Sequence, residues 1–261
     1  MRVSPNLLER TPVIEPLSYS QLPQALALRP SVTAVIGSGG KTTTLAALAH
    51  LIAAGKLASP AGKRPRIILS TTTHIRPFPH TPLFTRDNPV ELGQALAEHG
   101  TVCCGTPVED GKLAASPIAA AELARLADYA LLEADGSRGL PLKAHAEHEP
   151  VIPLEASTLV VVVGAHGFDQ PIEAVVHRPA LACEQLNACP SDLATAEFAA
   201  RLLLAELPRL TQDRPQLKTI SVLITHVDSE ARREQAEQFQ RAWHAPVLAV
   251  DHVREQLMRL R

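Results

Sequence analysis

The stretch that decides the fold runs from Val32 to Thr44 and reads VTAVIGSGGKTTT. Residues that favour a strand lead into a glycine-rich loop, and a lysine with three threonines then opens a stretch with the apolar pattern of a helix. In such a loop, backbone N–H groups close around phosphate oxygens, the lysine supplies positive charge, and a hydroxyl ligates Mg²⁺. The sequence therefore predicts a binding site for ATP or GTP with Mg²⁺, formed by Gly37, Ser38, Gly39, Gly40, Lys41, Thr42 and Thr43.

The loop is shorter than the usual phosphate-binding loop. The usual pattern has a glycine six residues before the lysine, and Val35 stands at that position here. The run GSGGKT from Gly37 to Thr42 resembles instead the compact Gly-Thr-Asn-Gly-Lys-Thr loop of the Mur ligases. We expect Lys41 and its neighbours to hold the β- and γ-phosphates, and Thr42 to ligate Mg²⁺.

Composition narrows the class of protein. A chain of 261 residues suits one large α/β domain, or one domain with a small insertion. The net charge of −2 gives no reason to expect a nucleic-acid partner. No run approaches the ~18 apolar residues of a membrane span, and the segment from Met1 to Pro5 lacks the apolar core of a signal peptide. We therefore expect a cytoplasmic protein with no membrane partner.

The cysteines do not have the spacing of a metal site. Cys103 and Cys104 are adjacent on a predicted strand, so their side chains should point to opposite faces. Cys183 and Cys189 lie six positions apart, unlike the Cys-x₂-Cys pairs of zinc sites. We interpret all four as buried or incidental free thiols, and a redox or chalcogen-handling role for one of them is the alternative.

Apolar strands alternate with helical stretches along the chain. This order predicts an α/β, three-layer P-loop NTPase-like fold, with a mostly parallel sheet and helices on both faces. Residues 1–31 are predicted to be an N-terminal extension, and residues 32–261 the domain, with a helical insertion near 179–207. A closing helix is predicted over Val253–Leu260. The predicted core strands are Val32–Ile36, Arg66–Ser70, Thr101–Cys104, Asp128–Leu132, Leu159–Val163, Thr219–Ile224 and Val247–Val250.

Two further strand ends carry polar side chains. Ligands of parallel sheets bind where the strands end, so these side chains should lie near the glycine loop. Thr72, Thr73 and His74 follow one strand and are candidates for contact with a second substrate. Glu133 and Asp135 follow another strand. We expect one of these carboxylates to ligate Mg²⁺, directly or through water, and the other to polarise the attacking group.

The residues after Asp135 add positive charge. Arg138 is a catalytic candidate that would neutralise a γ-phosphate or an anionic substrate, and Lys143 is a further candidate for binding the second substrate. A metal site formed by His145, Glu147, His148 and Glu149 is conceivable, although an ordinary polar loop is the favoured interpretation.

Taken together, these motifs resemble one family, the YqeC proteins. This family is associated with selenium cofactor biosynthesis and with selenium-dependent molybdenum hydroxylases. The similarity runs from about residue 20 to the C-terminus. It rests on GSGGKT at 37–42, STTTHI at 70–75, EADGSRGLPLKA at 133–144, HEPVIP at 148–153, VVG at 162–164 and VHRP at 176–179.

The resemblance implies nucleotide binding more firmly than it implies a reaction. Lys41 and Thr42 match the family's phosphate and Mg²⁺ positions, Glu133 and Asp135 its acidic strand end, and His177-Arg178 a segment of unknown role. The implied function is Mg²⁺-dependent triphosphate binding and hydrolysis, or nucleotide-dependent transfer, in selenium or molybdenum cofactor biosynthesis or insertion. The implied partner is a molybdenum hydroxylase or a cofactor-maturation protein. The alternatives are a nucleotide-gated delivery factor or chaperone with little turnover, and a Mur-like ATP-dependent ligase or kinase.

One late motif bears on the identity of the base. GTPases use Asn-Lys-x-Asp after a late strand, and the corresponding place here reads Thr225-His226-Val227-Asp228. The carboxylate of Asp228 can accept hydrogen bonds from guanine. A simple turn aspartate is an equally good interpretation, so guanine is only slightly favoured over adenine.

Overall fold

The computed structural model describes residues 13–57 and 64–261. The strands in these ranges are β1 Ile14–Ser18, β2 Ser31–Gly37, β3 Ile67–Thr71, β4 His74–Ile75, β5 Leu83–Phe84, β6 Thr101–Cys104, β7 Thr106–Pro107, β8 Leu113–Ala114, β9 Tyr129–Glu133, β10 Leu142–Lys143, β11 Ala156–Gly164, β12 Val176–His177, β13 Thr219–Thr225, β14 Val247–Asp251 and β15 Gln256–Leu260. The helices are α1 Leu22–Ala25, α2 Lys41–Ala53, α3 Pro89–His99, α4 Ala120–Leu126, α5 Ile172–Val175, α6 Pro179–Leu186, α7 Ala196–Thr211 and α8 Glu230–Trp243.

The main sheet is long and mostly parallel. Its strand order is β1-β15-β14-β13-β11-β2-β9-β3-β6-β5. Every pairing from β14 to β5 is parallel. Near one edge β15 runs antiparallel to both of its neighbours, β14 and β1. The prediction of an α/β chain with a mostly parallel sheet is confirmed. The strand β2, which leads into the glycine loop, lies near the middle of this sheet, where both of its edges are paired.

Helices cover both faces of the sheet, because the side chains of each strand alternate between the faces. Val32 and Ile36 of β2 lie in the core that α7 and α8 cover, together with Phe239. Val35 lies in the opposite core, with Leu45 and other residues of α2. The result is three layers, with α2 packed directly beside the loop from which it begins.

The end of the chain differs from the prediction. Residues within Val253–Leu260 form the strand β15, not a helix, and β15 pairs with β14 on one side and β1 on the other. A tight turn precedes this strand, in which the carboxylate of Asp251 accepts hydrogen bonds from the N–H groups of Val253 and Arg254. Two complete ladders of backbone hydrogen bonds outweigh the modest helix propensity of this segment.

Parts of the predicted N-terminal extension and of the predicted helical insertion have defined structure. Residues 1–12 of the predicted N-terminal extension lie outside the described residues, and residues 14–18 of it form the edge strand β1. Helices α6 and α7 occupy the region of the predicted helical insertion.

Cys103 and Cys104 are buried on opposite faces of the sheet, as predicted. All four cysteines are free thiols, and Cys189 alone is exposed.

No helix in the described ranges is long and apolar enough to cross a membrane.

Candidate functional site

The glycine loop, residues 37–41, turns the chain sharply from β2 into α2. Gly37, Gly39 and Gly40 have φ angles of 91°, 79° and 126°, a region that favours glycine. A Cβ atom on Gly37 would lie 2.2 Å from the carbonyl oxygen of Val162, and one on Gly39 would lie 2.6 Å from the Cα of Gly164. Both the backbone conformation and the packing against β11 therefore require glycine in the loop.

Helix α2 begins directly at the end of this loop. Its N-cap residue is Gly40, and no side chain in the described residues caps the first turn. The backbone N–H groups of that first turn and the positive end of the helix dipole therefore point toward the solvent side of the loop. This arrangement is suited to binding an anion.

Lys41 is buried within its own loop. Its Nζ atom donates a hydrogen bond to the carbonyl oxygen of Gly37 at 2.7 Å and lies 3.0 Å from Oδ1 of Asp135 and 3.8 Å from Oε1 of Glu133. The side chain is only 4% exposed. Two carboxylates thus hold the lysine in place beside the glycines, where the sequence predicts that it meets phosphate.

The structure assigns the two carboxylates different positions. Glu133 lines the cleft beside the loop, where its Oε2 accepts a hydrogen bond from Thr42 Oγ1 at 3.0 Å. Burial raises the pKa of Glu133 and outweighs the opposing effects of Lys41 and Thr42. A hydroxyl and a carboxylate at the mouth of an anion-binding loop are a donor set that suits Mg²⁺, which takes one or two carboxylates together with phosphate oxygens.

Asp135 lies behind the loop and is fully buried. Its Oδ2 accepts a hydrogen bond from the N–H of Gly37 at 2.8 Å and lies 2.9 Å from His145 Nε2. Burial would raise the pKa of Asp135, but Lys41, His145 and Lys143 outweigh it and hold this pKa well below the usual range. Asp135 is therefore a structural anchor of the loop, and it does not line the cleft.

A second carboxylate completes this buried network. His145 Nδ1 lies 2.6 Å from Oε2 of Glu206, and the N–H of His145 donates to Oε1 of Glu206 at 2.7 Å. Burial lowers the pKa of His145, but the hydrogen bonds with Asp135 and Glu206 outweigh it, so the pKa is raised. Sequence reasoning missed Glu206, although the carboxylate interrupts the apolar face of α7 that Leu202, Leu203 and Leu210 form.

The metal site that was only a minor alternative for the loop after Lys143 is not assembled in the described residues. His145 faces Asp135 and Glu206, and the described residues contain no group of three or more histidine, cysteine or acidic side chains arranged for a metal ion. Glu149 instead forms ion pairs at 2.7 Å with both Lys143 and Arg178. Burial would raise the pKa of Glu149, but the bonds from Arg178 and Lys143 lower it to about 2.

A cleft of about 870 Å³ opens at the loop, on the side of β9 and β3. We call it the basic cleft. Its walls include residues of the glycine loop from Gly39 to Thr43. The charged and titratable residues on its walls are Lys41, His74, Arg76, Lys112, Glu133 and Arg138.

The candidates for the second substrate divide between this cleft and the interior. His74 and Arg138 line the basic cleft. Thr72 and Thr73 lie at the end of β3 and do not line it; the N–H of Thr72 donates to the carbonyl oxygen of Glu133 at 2.9 Å. Lys143 is buried and pairs with Asp135 at 3.4 Å and with Glu149 at 2.7 Å. Of the loop residues, Ser38 also points inward and donates to the carbonyl oxygen of Leu140.

A smaller pocket of about 300 Å³ lies on the other side of the loop, at the ends of β13 and β14. We call it the histidine pocket. Gly40 and Thr43 form its border with the glycine loop, and the titratable residues on its walls are His226, Asp228, Asp251, His252 and Arg254. The predicted base-recognition residue, Asp228, therefore does lie at the loop. Its carboxylate pairs with Arg232 at 2.8 Å and is 40% exposed.

The histidines of this pocket are partly enclosed. His252 lies between two hydroxyls, 2.7 Å from Tyr19 Oη and 3.1 Å from Thr44 Oγ1. Burial lowers the pKa of His252 to about 4, and it lowers the pKa of His226 as well. The ring of His226 also contacts that of His166 at a centroid distance of 4.1 Å. These side chains are neutral at pH 7, so the pocket can take an uncharged ring.

The fold and the loop define an α/β protein with a glycine-rich turn between a central strand and its helix. The sequence model of the YqeC protein family matches residues 33–180, more than half of the chain. The chain belongs to the YqeC family, as the sequence motifs indicate. The Escherichia coli (strain K12) "Uncharacterized protein YqeC" is 37% identical over 157 residues. That alignment covers 58% of each chain, so the similarity spans less than two thirds of the relative.

Proposed function

We propose that the protein binds a nucleoside triphosphate with Mg²⁺ in the glycine loop, with a P-loop NTPase-like fold, and that it turns the nucleotide over. The observation that carries the proposal is the loop itself: three glycines at positive φ, an uncapped helix start and a buried lysine lie at the end of a central parallel strand. Ligands of open α/β sheets bind at this position. Mg²⁺ would be held by Thr42 and Glu133, whose side chains already meet at the mouth of the loop.

The positions of the two cavities support one orientation for the bound nucleotide. The base would lie in the histidine pocket, and the phosphate chain would cross the loop toward the basic cleft, because β2 lies between the strands that border the two cavities. The γ-phosphate would then face Glu133 and Arg138. Mg²⁺, when bound, neutralises charge on the phosphate oxygens. Lys41 and Arg138 would add positive charge on the γ-phosphate side.

The position of Asp135 bears on turnover. The sequence assigns one carboxylate to the metal and the other to the attacking group, but Asp135 is enclosed by Gly37, Lys41 and His145. Glu133 is then the one carboxylate of the pair that reaches the cleft. This observation supports a second candidate function, a nucleotide-gated delivery factor with slow turnover, which would act on a molybdenum hydroxylase or a cofactor-maturation protein.

We extend the proposal to a role in selenium or molybdenum cofactor biosynthesis or insertion, which is what the resemblance to the YqeC family implies. A cytoplasmic location is part of the proposal. The four free thiols support it, since a reducing compartment keeps cysteines unpaired.

A panel of ATP, GTP and their non-hydrolysable analogues, titrated with and without Mg²⁺, tests the proposal. A bound ligand stabilises the fold by RT ln(1 + [L]/Kd), about 2.7 kcal/mol at a hundredfold excess over Kd. We expect Mg²⁺-dependent stabilisation of the wild type, and its loss in Lys41→Ala, with Lys56→Ala as the matched control. Direct binding of a fluorescent analogue separates lost affinity from lost stability. Unchanged affinity in Lys41→Ala would disprove the assignment of the loop.

A further inference from the structure

Two cations flank a short antiparallel strand pair on the wall of the basic cleft. β4 and β8 pair with His74 opposite Ala114 and Ile75 opposite Leu113. Arg76 directly follows β4 and Lys112 directly precedes β8, so both lie at the same end of this pair, and both line the cleft. The fold therefore brings two positive charges, which repel each other, to one wall of the cleft.

Glu133 is the carboxylate on the walls of this cleft, and within the described residues no carboxylate forms an ion pair with Arg76, Lys112 or Arg138. Lys41, by contrast, is matched by Asp135 at 3.0 Å. The nearest acidic residues in sequence, Glu109 and Asp110, lie in the turn before Lys112 and do not pair with it either. The chain as a whole carries a net charge of −2, so a general excess of cations does not explain the cluster.

The position of the cluster separates it from the proposed nucleotide base. Arg76 and Lys112 line the basic cleft, and the histidine pocket lies on the other side of the glycine loop. The basic cleft is also the larger of the two cavities, at about 870 Å³ against about 300 Å³. It leaves room for a second ligand beside a phosphate chain.

We propose that Arg76, Lys112 and Arg138, together the basic wall, bind a second substrate that is a small oxyanion carrying two or more negative charges. This inference rests on the proposed function, because it places the oxyanion beyond the γ-phosphate of a bound nucleotide. Charge-assisted hydrogen bonds from arginine and lysine to such an anion are strong. The bound anion also removes the repulsion between Arg76 and Lys112.

The test uses inorganic phosphate as the probe. The full chain is first saturated with Mg²⁺ and a non-hydrolysable triphosphate, so that phosphate cannot occupy the glycine loop. Phosphate is then titrated at constant ionic strength against chloride, for the wild type, for the double variant Arg76→Ser/Lys112→Ser and for the control Arg29→Ser/Lys56→Ser. We expect the double variant to bind phosphate about tenfold more weakly or worse and the triphosphate within about twofold of the wild type.

A measurement of folding accompanies the titration. Without ligand, the double variant should unfold at the same temperature as the wild type or higher, because it removes two like charges from one wall of the cleft. Three results would overturn the proposal: no phosphate response in the wild type beyond that of chloride, an unchanged response in the double variant, or an equal loss of phosphate and triphosphate binding. If no triphosphate binds the wild type, the proposed function fails by itself. The phosphate titration of the nucleotide-free protein, wild type against double variant, then decides on the basic wall.

Discussion

The two sides of the glycine loop differ in how their charges are matched. In the histidine pocket, Asp228 pairs with Arg232, and His252 is held between two hydroxyls. In the basic cleft, Arg76 and Lys112 lie at the same end of the β4–β8 pair and form no ion pair within the described residues. The polar groups named in the histidine pocket are thus matched within the protein, whereas these two cations are not.

The two sides also differ in their relation to the family. The matched residues, 33–180, include the glycine loop, Glu133 and the basic wall, but they do not include His226, Asp228 or His252. The charge-rich side therefore belongs to the part of the chain that defines the family. Under the proposed function, the basic cleft would be the site of the reaction and the histidine pocket would select the nucleotide.

The largest expected effect on stability concerns Asp135, the anchor of the glycine loop between the basic cleft and the histidine pocket. Asp135→Asn removes the charge that faces Lys41 and His145, both of which are buried. We expect the free energy of unfolding to fall by about 3–5 kcal/mol, as when one partner of a buried ion pair is removed. Urea unfolding measures this loss, and Asp87→Asn, at an exposed position, serves as the control. A loss below about 1 kcal/mol, the range of exposed pairs, would show that Asp135 does not anchor the loop.

The next prediction separates Glu133 from Asp135. Glu133→Gln keeps the size of the side chain but removes the proposed metal ligand, so Mg²⁺-dependent triphosphate affinity should fall up to about a hundredfold. Affinity without Mg²⁺ should stay unchanged. Stability should stay equal or rise, since burial raises the pKa of Glu133 and already disfavours its charged form.

Isothermal titration with and without Mg²⁺ measures both affinities, and Glu147→Gln is the control at an exposed position. If Mg²⁺ improved binding by the same factor in Glu133→Gln as in the wild type, the metal would not be held by Glu133.

Much of the fold could be predicted from the sequence because the central strands are local apolar runs. The strand before Glu133 and the strand before Gly37 are continuous buried segments, and they are found within one or two residues of their predicted bounds. The predicted helix over Val253–Leu260 was wrong because the segment turns back to pair with β14 and also pairs with β1, more than 230 residues earlier in the chain. The pairing with β1 leaves no local signal in the sequence.

The candidate site also contains residues with a local sequence signal and residues whose position depends on distant parts of the chain. The loop residues and Glu133 could be located because each follows directly from one strand. The sequence could not separate Glu133 from Asp135, since that depends on Lys41 and His145 packing behind the loop. Arg76 and Lys112 were missed because the pairing of β4 with β8, which are distant in the sequence, brings them to the same cleft.

A third prediction concerns pH and the histidine pocket. The pKa of His252 is lowered from 6.5 to about 4, so the unfolded chain takes up a proton at higher pH than the folded protein. The stability that the neutral ring contributes is present above pH 6.5 and is lost as the pH falls through about 4. His252→Gln should remove this loss, on the order of 2 kcal/mol between these pH values.

Urea unfolding at a series of pH values checks this, with His50→Gln at an exposed position as the control. The raised pKa of His145 makes stability depend on pH in the opposite direction. His145 is present in both proteins, so its contribution cancels when the two stability curves are subtracted. Parallel pH curves for the wild type and His252→Gln would show that His252 is not the group responsible.

The smallest expected effect is on the choice of base. Asp228→Asn replaces an acceptor suited to guanine, so GTP should bind about tenfold more weakly while ATP stays within about twofold. The effect is small because Arg232 at 2.8 Å competes for the carboxylate, which is 40% exposed to water. Competition of each nucleotide with a fluorescent analogue measures the ratio, and Asp213→Asn is the control. An equal loss for both nucleotides would mean that Asp228 shapes the pocket without recognising the base. Selection of the nucleotide in the histidine pocket would then depend on His226 and His252 alone.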